Sequence, residues 1–435
     1  MRRLGAIGLL ILLRVGAAQT AAPPLLSPQA AYDRATAPVE IIHRSVDNWS
    51  DVERSALVEA VLEASVACVA RRGETYAGDD LIAYAKLCAT GKEWDVVYTA
   101  ATTYIDSKDS AIDSKDAAKP QLATAYGYEI QADLNLKREK EAVATAIAML
   151  RAVPYGSLTD EVMATTVRYL QFAYTRDALR VMAVRQPILL KMLAEPAPPV
   201  PLHTLFEHAL DFPALEQYDN EPNVAEILRG DVERAVPAEL PKDEAILMAA
   251  MRRRYALLGT HFPVLAGAVT LMSPTETPKK QPSYGSATVF FLFPPWCAQC
   301  VRQAQQIVGA LVRTAVLRGP EYKASSIYAL LADDTPIVPP AKPGQARSGA
   351  RAKAVEPEQP KAVAEQLRKT PTLVVSPKVL EDFDATDYPF LIATDHDGII
   401  RLMMPAAPEN ALVQGGIVDQ MTATIIANWP GKEAK

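Results

Sequence analysis

Trp296-Cys297-Ala298-Gln299-Cys300 holds the residues whose types and spacing carry the clearest chemistry in this chain. Two cysteines three apart at a helix N-terminus can close a small disulfide without moving the backbone. Helix-end N–H groups also stabilise negative charge on the first sulfur. Cys297, at the exposed end, is therefore the expected nucleophile, with a pKa below the free-thiol value of ~8.5. Cys300, a turn further in, attacks the mixed disulfide and resolves it. A zinc site would need two more ligands, but Cys68 and Cys88 lie far off in sequence. The histidines (His43, His203, His208, His261, His396) are scattered, so no metal and no cofactor is expected. The Ala298-Gln299 spacer contains neither His nor Gly-Pro. The thiolate then gains little beyond the helix end, which places the pair towards the reducing range of roughly −200 to −270 mV.

A buried strand before this pair and a helix after it must hold it in place. Residues 287–293 (ATVFFLF) are a continuous apolar run rich in aromatic and β-branched residues, as in a strand covered on both faces. Residues 301–317 read as the helix and 325–331 (SSIYALL) as a second buried strand. Residues 335–360 are Pro-rich with a basic cluster (Lys342, Arg347, Arg351, Lys353) and read as a disordered, solvated insertion. Residues 362–368 are helical. Strands at 390–394 and 399–404 flank Asp395-His396-Asp397-Gly398, a hairpin turn signal, and 417–429 closes as a helix. This order is that of an α/β domain with a mixed sheet.

Upstream, residues 51–258 have a helical pattern. Val58, Val61, Leu62, Val66 and Val69 recur near a 3.6-residue period, as do Leu122, Tyr126, Ile130 and Leu134. Residues 83–105 and 125–150 each read as helix, tight polar turn, helix, with small Ala where helices would cross. Over 79–155 the chain resembles a degenerate tetratricopeptide repeat, stretched by an insertion at 106–119. An irregular array of helical hairpins fits equally well. Residues 261–285 are turn-rich and mark a boundary. The expected fold class is thus multidomain: an all-α, helical-repeat-like domain over 51–260 and an α/β domain over 261–435.

Composition bounds the function classes. With 435 residues, 49% hydrophobic and 22% charged, the chain is ordinary globular protein of two or three domains, and four Cys are too few for a disulfide-dense scaffold. A formal charge of −6 provides no electrostatic footprint for nucleic acid. Met1-Arg2-Arg3, the apolar run 4–13 and Gly16-Ala17-Ala18 have the pattern of a signal peptide over 1–18, too short to span a bilayer. Residues 19–50, Ala/Pro-rich at first, read as a leader or linker. The mature chain is expected to be periplasmic or secreted, in an oxidising compartment.

Residues 261–435 resemble the thioredoxin-fold reductases of the periplasmic TlpA type. The resemblance is carried by the WCAQC motif and by 379–392 (VLEDFDATDYPFLI), followed by the DHDG turn and another strand. It implies that Pro389 is a cis-proline facing the disulfide, that the Tyr388 backbone pairs with substrate, and that Trp296 lies in the substrate-binding surface. Pro371, in Thr370-Pro371-Thr372, competes for the same role but lacks a hairpin after it. Three departures stand out. Phe291 occupies the position of the family's buried proton-shuttling carboxylate, Gln305 replaces a helix-kinking Pro, and Pro294-Pro295 before the Trp is unusual. Asp333 and Asp334 are the substitutes for the acid, or else simply solvated loop residues. The implied function is an exported thiol–disulfide oxidoreductase acting on client proteins with disulfides and fed by a membrane electron donor. Its helical domain would bind a protein partner. A non-catalytic adaptor with a thioredoxin-like docking module is the alternative.

Other features are weighed more simply. Cys68 and Cys88 lie on apolar helix faces, and two buried free thiols are the default over a disulfide. The tandem Asp106-Ser107-Lys108-Asp109 and Asp113-Ser114-Lys115-Asp116 lacks the Gly and Glu of a calcium loop. His203 and His208, five apart, share no helix face as a ligand pair.

Overall fold

The structure is a computed structural model that describes residues 25–45, 53–107, 121–171, 174–262, 269–271, 288–297, 300–301, 304–305, 326–333, 367, 372–385, 388–405 and 425. Residues 1–18, read above as a signal peptide, most of the tandem Asp-Ser-Lys-Asp motif, residues 335–360 and Pro371 lie outside these residues. Helices occupy the N-terminal part and a mixed sheet the C-terminal part. The chain divides into two compact units, Met1–Asp113 and Ser114–Lys435.

The first unit contains α1 (Pro28–Ser45), α2 (Glu53–Val69), α3 (Asp79–Thr90) and α4 (Trp94–Asp106). The linker expected over 19–50 is instead largely α1. Its start has Pro28 at the first helical position and Ser27 as cap, the Ser27 Oγ accepting the Ala30 N–H at 3.2 Å. Ala31, Ala35 and Val39, four apart, are buried as α1 packs on α2 and α3. The period of α2 is that of a helix, but its stripe of large apolar residues is not the face that packs. Ala56, Ala60, Ala64 and Ala67 are buried, while Val58, Leu62 and Val66 are exposed. Small side chains let the helices approach closely, and that packing wins over the larger residues on the other face. Gly91 shows how tight it is: a Cβ there would meet the Ser65 backbone nitrogen at 2.5 Å.

Cys68 and Cys88 form a disulfide with a Cα–Cα distance of 5.2 Å, correcting the expectation of two free thiols. An antiparallel hairpin would have kept them apart. Residues 70–78 instead carry the chain back so that the C-terminal ends of α2 and α3 meet, where the Tyr84 hydroxyl also donates to the Cys68 carbonyl at 3.2 Å. Arg71, buried just after α2, donates to the carbonyls of Ala67 and Leu26 and so fastens the entry to α1.

The second unit begins with α5 (Leu122–Asn135), α6 (Glu139–Ala152), α7 (Ser157–Leu170), α8 (Thr175–Leu193), α9 (Leu202–Tyr218), α10 (Pro222–Ala235) and α11 (Lys242–Ala256). The two helical hairpins read from the sequence both form, α3–α4 in the first unit and α5–α6 in the second. Each turns through a lysine in the left-handed region, Lys92 (φ 61°) and Lys137 (φ 62°). Backbone bonds from Glu93 N–H to Cys88 O and from Arg138 N–H to Asp133 O close the two corners in the same way, at 2.9 Å each.

The sheet comprises β1 (Val269–Leu271), β2 (Thr288–Phe293), β3 (Ser326–Ala332), β4 (Thr372–Val375), β5 (Phe390–Thr394) and β6 (Ile400–Pro405), with α12 (Lys378–Asp382) between β4 and β5. Its order is β1-β4-β3-β2-β5-β6. β2, β3 and β4 run parallel, while β1, β5 and β6 are antiparallel to their neighbours. Every residue of β2 is buried, as its unbroken apolar run requires. β1 and β4 fall in stretches that the sequence had marked only as turn-rich or as a proline context.

The division of the chain falls at Asp113/Ser114, not at 260/261. One hydrophobic core runs continuously from Ile130 in α5 through α6–α9 and α11 into all four central strands. The turn-rich stretch after α11 is knitted into the sheet from its first residues. Gly259 N–H donates to Ile400 O, Ile400 N–H to Thr260 O and Phe262 N–H to Gly398 O, all at 2.8 Å. Phe262 then stacks on Phe290 of β2 with ring centroids 4.1 Å apart. A boundary inferred from turn residues alone misses this, because the segment satisfies its backbone by pairing with a strand 140 residues later in the chain, as the His261–Ile399 bridge records.

Candidate functional site

β2 ends at Phe293, and the chain passes through Pro294 and Pro295 to Trp296 and Cys297, the latter half-buried. Cys300, Val301, Ala304 and Gln305 are helical. Cys297 and Cys300 are joined as a disulfide with a Cα–Cα distance of 5.3 Å. The two sulfurs are not equivalent. Cys300 is fully buried, whereas Cys297 is accessible beside Trp296, which is 66% exposed. The Cys300 backbone N–H donates to Cys297 Sγ at 3.2 Å. The Val301 N–H donates to the Cys297 carbonyl at 3.3 Å, the first turn of the helix. An N–H group fixed on one sulfur, at a helix start, lowers the energy of a thiolate there.

The Tyr388–Pro389 peptide is cis. It leads directly into β5, which pairs antiparallel with β2 in a register that sets Phe390 opposite Leu292. The cis peptide is thereby brought to the end of β2 from which the Cys297 segment leaves. The Tyr388 and Trp296 rings meet edge to face at 5.9 Å. Trp296, Cys297, Cys300, Tyr388 and Pro389, separated by about ninety residues of sequence, share one end of the sheet.

Phe291 is fully buried within β2, between Ala329 of β3 and Leu391 of β5 in the register, so that position supplies no proton acceptor. Asp333 follows β3 and its N–H donates to the Val375 carbonyl at 3.0 Å. Asp334 and the Ala298-Gln299 spacer lie outside the described residues.

The loop before the cis peptide is held from two sides. Phe383 is buried and stacks on Phe262 at 5.8 Å. Asp384, with φ 47°, faces Arg254 of α11 at 3.6 Å. Burial pushes the Asp384 carboxyl up, and Arg254 and Arg253 oppose that rise. Arg254 also bonds Glu207 of α9, so two helices brace the segment that carries Tyr388 and Pro389.

Sequence reasoning missed a buried polar cluster among α7, α8 and α9. Arg185, only 2% exposed, donates to Tyr155 Oη at 2.7 Å and to Asp160 Oδ1 at 2.6 Å. His208 Nδ1 lies 3.0 Å from both Asp160 Oδ1 and Arg185 Nη2. Burial alone would raise the Asp160 carboxyl. Hydrogen bonds and charge from His208, Arg185 and Tyr155 outweigh it and hold the group at about 2. Burial pushes the Tyr155 hydroxyl far up. The one sequence signal was a charge on the apolar face of each helix, and four single residues spread over fifty positions form no motif. His203, by contrast, pairs with Glu244 at 3.0 Å, apart from His208.

Compared with protein-family models, with curated proteins and with solved structures, the chain gives no match.

Proposed function

We propose that this chain is an exported thiol–disulfide oxidoreductase whose C-terminal part has the thioredoxin arrangement. The carrying observation is the asymmetry of the Cys297–Cys300 pair: an accessible first sulfur receiving a backbone N–H at 3.2 Å, and a buried second one. The strand set supports the fold reading. β3 and β2 parallel, followed by β5 and β6 antiparallel, with the reactive pair after β2 and a cis-proline before β5, is the arrangement that the resemblance implies.

In the reduced protein, the Cys297 thiolate attacks one sulfur of a client disulfide. A Cys297–client bond forms and the client's other sulfur leaves as a thiolate. Cys300, deprotonated, then attacks Cys297 Sγ, releasing the second client thiol and closing the Cys297–Cys300 disulfide. Two electrons pass to the client, and each turnover consumes one dithiol. In an oxidising compartment that dithiol is regenerated by an electron donor across or within the membrane, while Trp296, Tyr388 and Pro389 form the surface on which the client strand lies. Export and the protein-binding role of the helices belong to the same proposal.

Phe291 favours a second reading. With an apolar ring where a proton carrier would sit, the module would dock partners and exchange its disulfide only slowly. An insulin-reduction assay with dithiothreitol separates the two. Wild-type protein should accelerate precipitation well above the reductant alone and Cys297→Ser should not; equal rates for both would favour the adaptor.

A further inference from the structure

We propose that two copies of this chain associate through α2, the two helices lying antiparallel about a two-fold axis at Leu62. This is independent of the thiol chemistry, because Trp296, Cys297, Cys300, Tyr388 and Pro389 all belong to the second unit.

α2 packs with its small side chains and leaves its large ones in solvent. Ala56, Ala60, Ala64 and Ala67 are buried, whereas Leu57, Val58, Leu62, Val66 and Val69 are exposed, Leu62 and Val66 by 62% and 72%. At ~100° per residue, Val58, Leu62, Val66 and Val69 fall within about 40° of one line along the helix, on the side opposite the alanines. The first unit does not use this stripe for its own core. A soluble chain rarely leaves so long an apolar stripe bare unless another molecule covers it.

Three features select a second copy as that molecule. The spacing is self-complementary: Val58 and Val66 stand four residues either side of Leu62, and Ser55 and Val69 seven either side. Leu62 is also next to the middle of the helix, which runs from Glu53 to Val69. A two-fold axis there sets Leu62 on its own counterpart and Val58 on the second copy's Val66. An isologous interface requires such a palindrome, and a helix from an unrelated protein does not. Antiparallel pairing further places the positive end of each helix beside the negative end of the other. Charge is the second feature. α2 contains three Glu and a single Arg, and Glu63 is already paired with Arg34 at 2.5 Å. An anionic lipid surface would instead call for Lys and Arg beside the apolar face. The third is area. A helix about 25 Å long and about 10 Å wide presents a strip on the order of 250 Å² in outline. Two such strips fall in the small-interface class, below ~1,200 Å² in total, which fits reversible pairing with a Kd of tens of micromolar, roughly.

Sedimentation velocity of the full chain from about 1 to about 200 μM, at constant ionic strength, tests this. The mass should rise from one chain to two across that range. Leu62→Glu sets two carboxylates face to face at the axis and should weaken association at least about tenfold. Leu62 already lies in solvent, so the change opens no cavity, and far-UV circular dichroism checks that the helices remain. All four native cysteines are held in disulfides, so a short bis-maleimide reports the geometry through introduced thiols. Leu62→Cys should cross-link to itself, and Val58→Cys should cross-link to Val66→Cys in a mixture far more than to itself. The proposal is overturned if the chain stays monomeric throughout, if Leu62→Glu pairs like wild type, or if Val58→Cys cross-links to itself as readily as to Val66→Cys. A monomeric chain that floats with phosphatidylglycerol–phosphatidylethanolamine vesicles, and loses that binding in Leu62→Glu, would overturn it in favour of a membrane face.

Discussion

The two units each contain one disulfide, and the bonds differ in almost everything except their chemistry. Cys68 and Cys88 are 20 residues apart, both fully buried, and tie the ends of two helices that Gly91 and Ala64 already bring into backbone contact. Cys297 and Cys300 are three residues apart, close no loop of consequence, and leave one sulfur accessible beside an exposed tryptophan. A bond that constrains a long loop and is sealed in a core serves stability. A bond that constrains almost nothing and presents a sulfur at a helix start adds little stability and leaves that sulfur open to the exchange proposed above. The same contrast extends to the buried arginines. Arg71 of the first unit is satisfied by neutral carbonyls, whereas Arg185 of the second relies on an ionised Asp160.

The largest expected effect breaks that comparison outright if it fails. Under mild reductant, alkylation followed by mass spectrometry should label Cys297 and Cys300 completely while Cys68 and Cys88 stay unlabelled until the protein is denatured. Cys300→Ser should accumulate mixed disulfides with client proteins, and Cys297→Ser should accumulate none. Parallel labelling of all four cysteines would show that the two bonds are not functionally distinct.

A second effect sharpens the stabilising role. Replacing Cys68 and Cys88 together by Ala should destabilise the first unit by about 3 kcal/mol, the cost expected for a loop of about twenty residues. Insulin reduction should remain near the wild-type rate. Chemical denaturation followed by far-UV circular dichroism would register the change, and a shift below about 0.5 kcal/mol would remove the stabilising assignment.

The smallest effect separates Arg185 from Arg71 by pH. Asp160 is held at about 2, below its ordinary value of 3.8. A depressed carboxyl contributes its stability fully above the unfolded-state value and loses it as pH falls from about 4 towards 2. The contribution at neutral pH is roughly 2 kcal/mol. The stability gap between wild type and Asp160→Asn should therefore narrow over that window and hold constant above pH 5. A gap that is unchanged down to pH 2 would mean that the Asp160 charge contributes nothing to folding.

Much of the candidate site was legible because its parts are local. The Cys-x-x-Cys spacing, the unbroken apolar run of β2 and the Asp395–Gly398 turn each depend on residues within a few positions of one another. In that turn, Asp395 Oδ1 accepts the N–H groups of Asp397 and Ile399 at 2.9 and 3.0 Å, and Gly398 takes φ 76°. The start of α1 was equally local, written in Ser27-Pro28, yet the Ala/Pro-rich sequence around it masked the signal. The stripe of α2 misled for the opposite reason: its period was right, but which face packs was settled by how closely α1 and α3 can approach, and alanines allow the closer contact.

What the chain by itself determined is therefore the set of short-range facts: helices where apolar residues recur, strands where they run unbroken, a closely spaced cysteine pair at a strand-to-helix corner. Tertiary structure alone decided the rest. It closed Cys68 on Cys88, carried residues 259–262 onto the edge of β6, and gathered Tyr155, Asp160, Arg185 and His208 from three helices and a loop. The reason is one of range. A cap, a turn or a Cys-x-x-Cys pair is fixed by dihedral angles of adjacent residues. The partner of a buried charge or a lone cysteine depends instead on where helices cross, which is the joint result of packing the whole core.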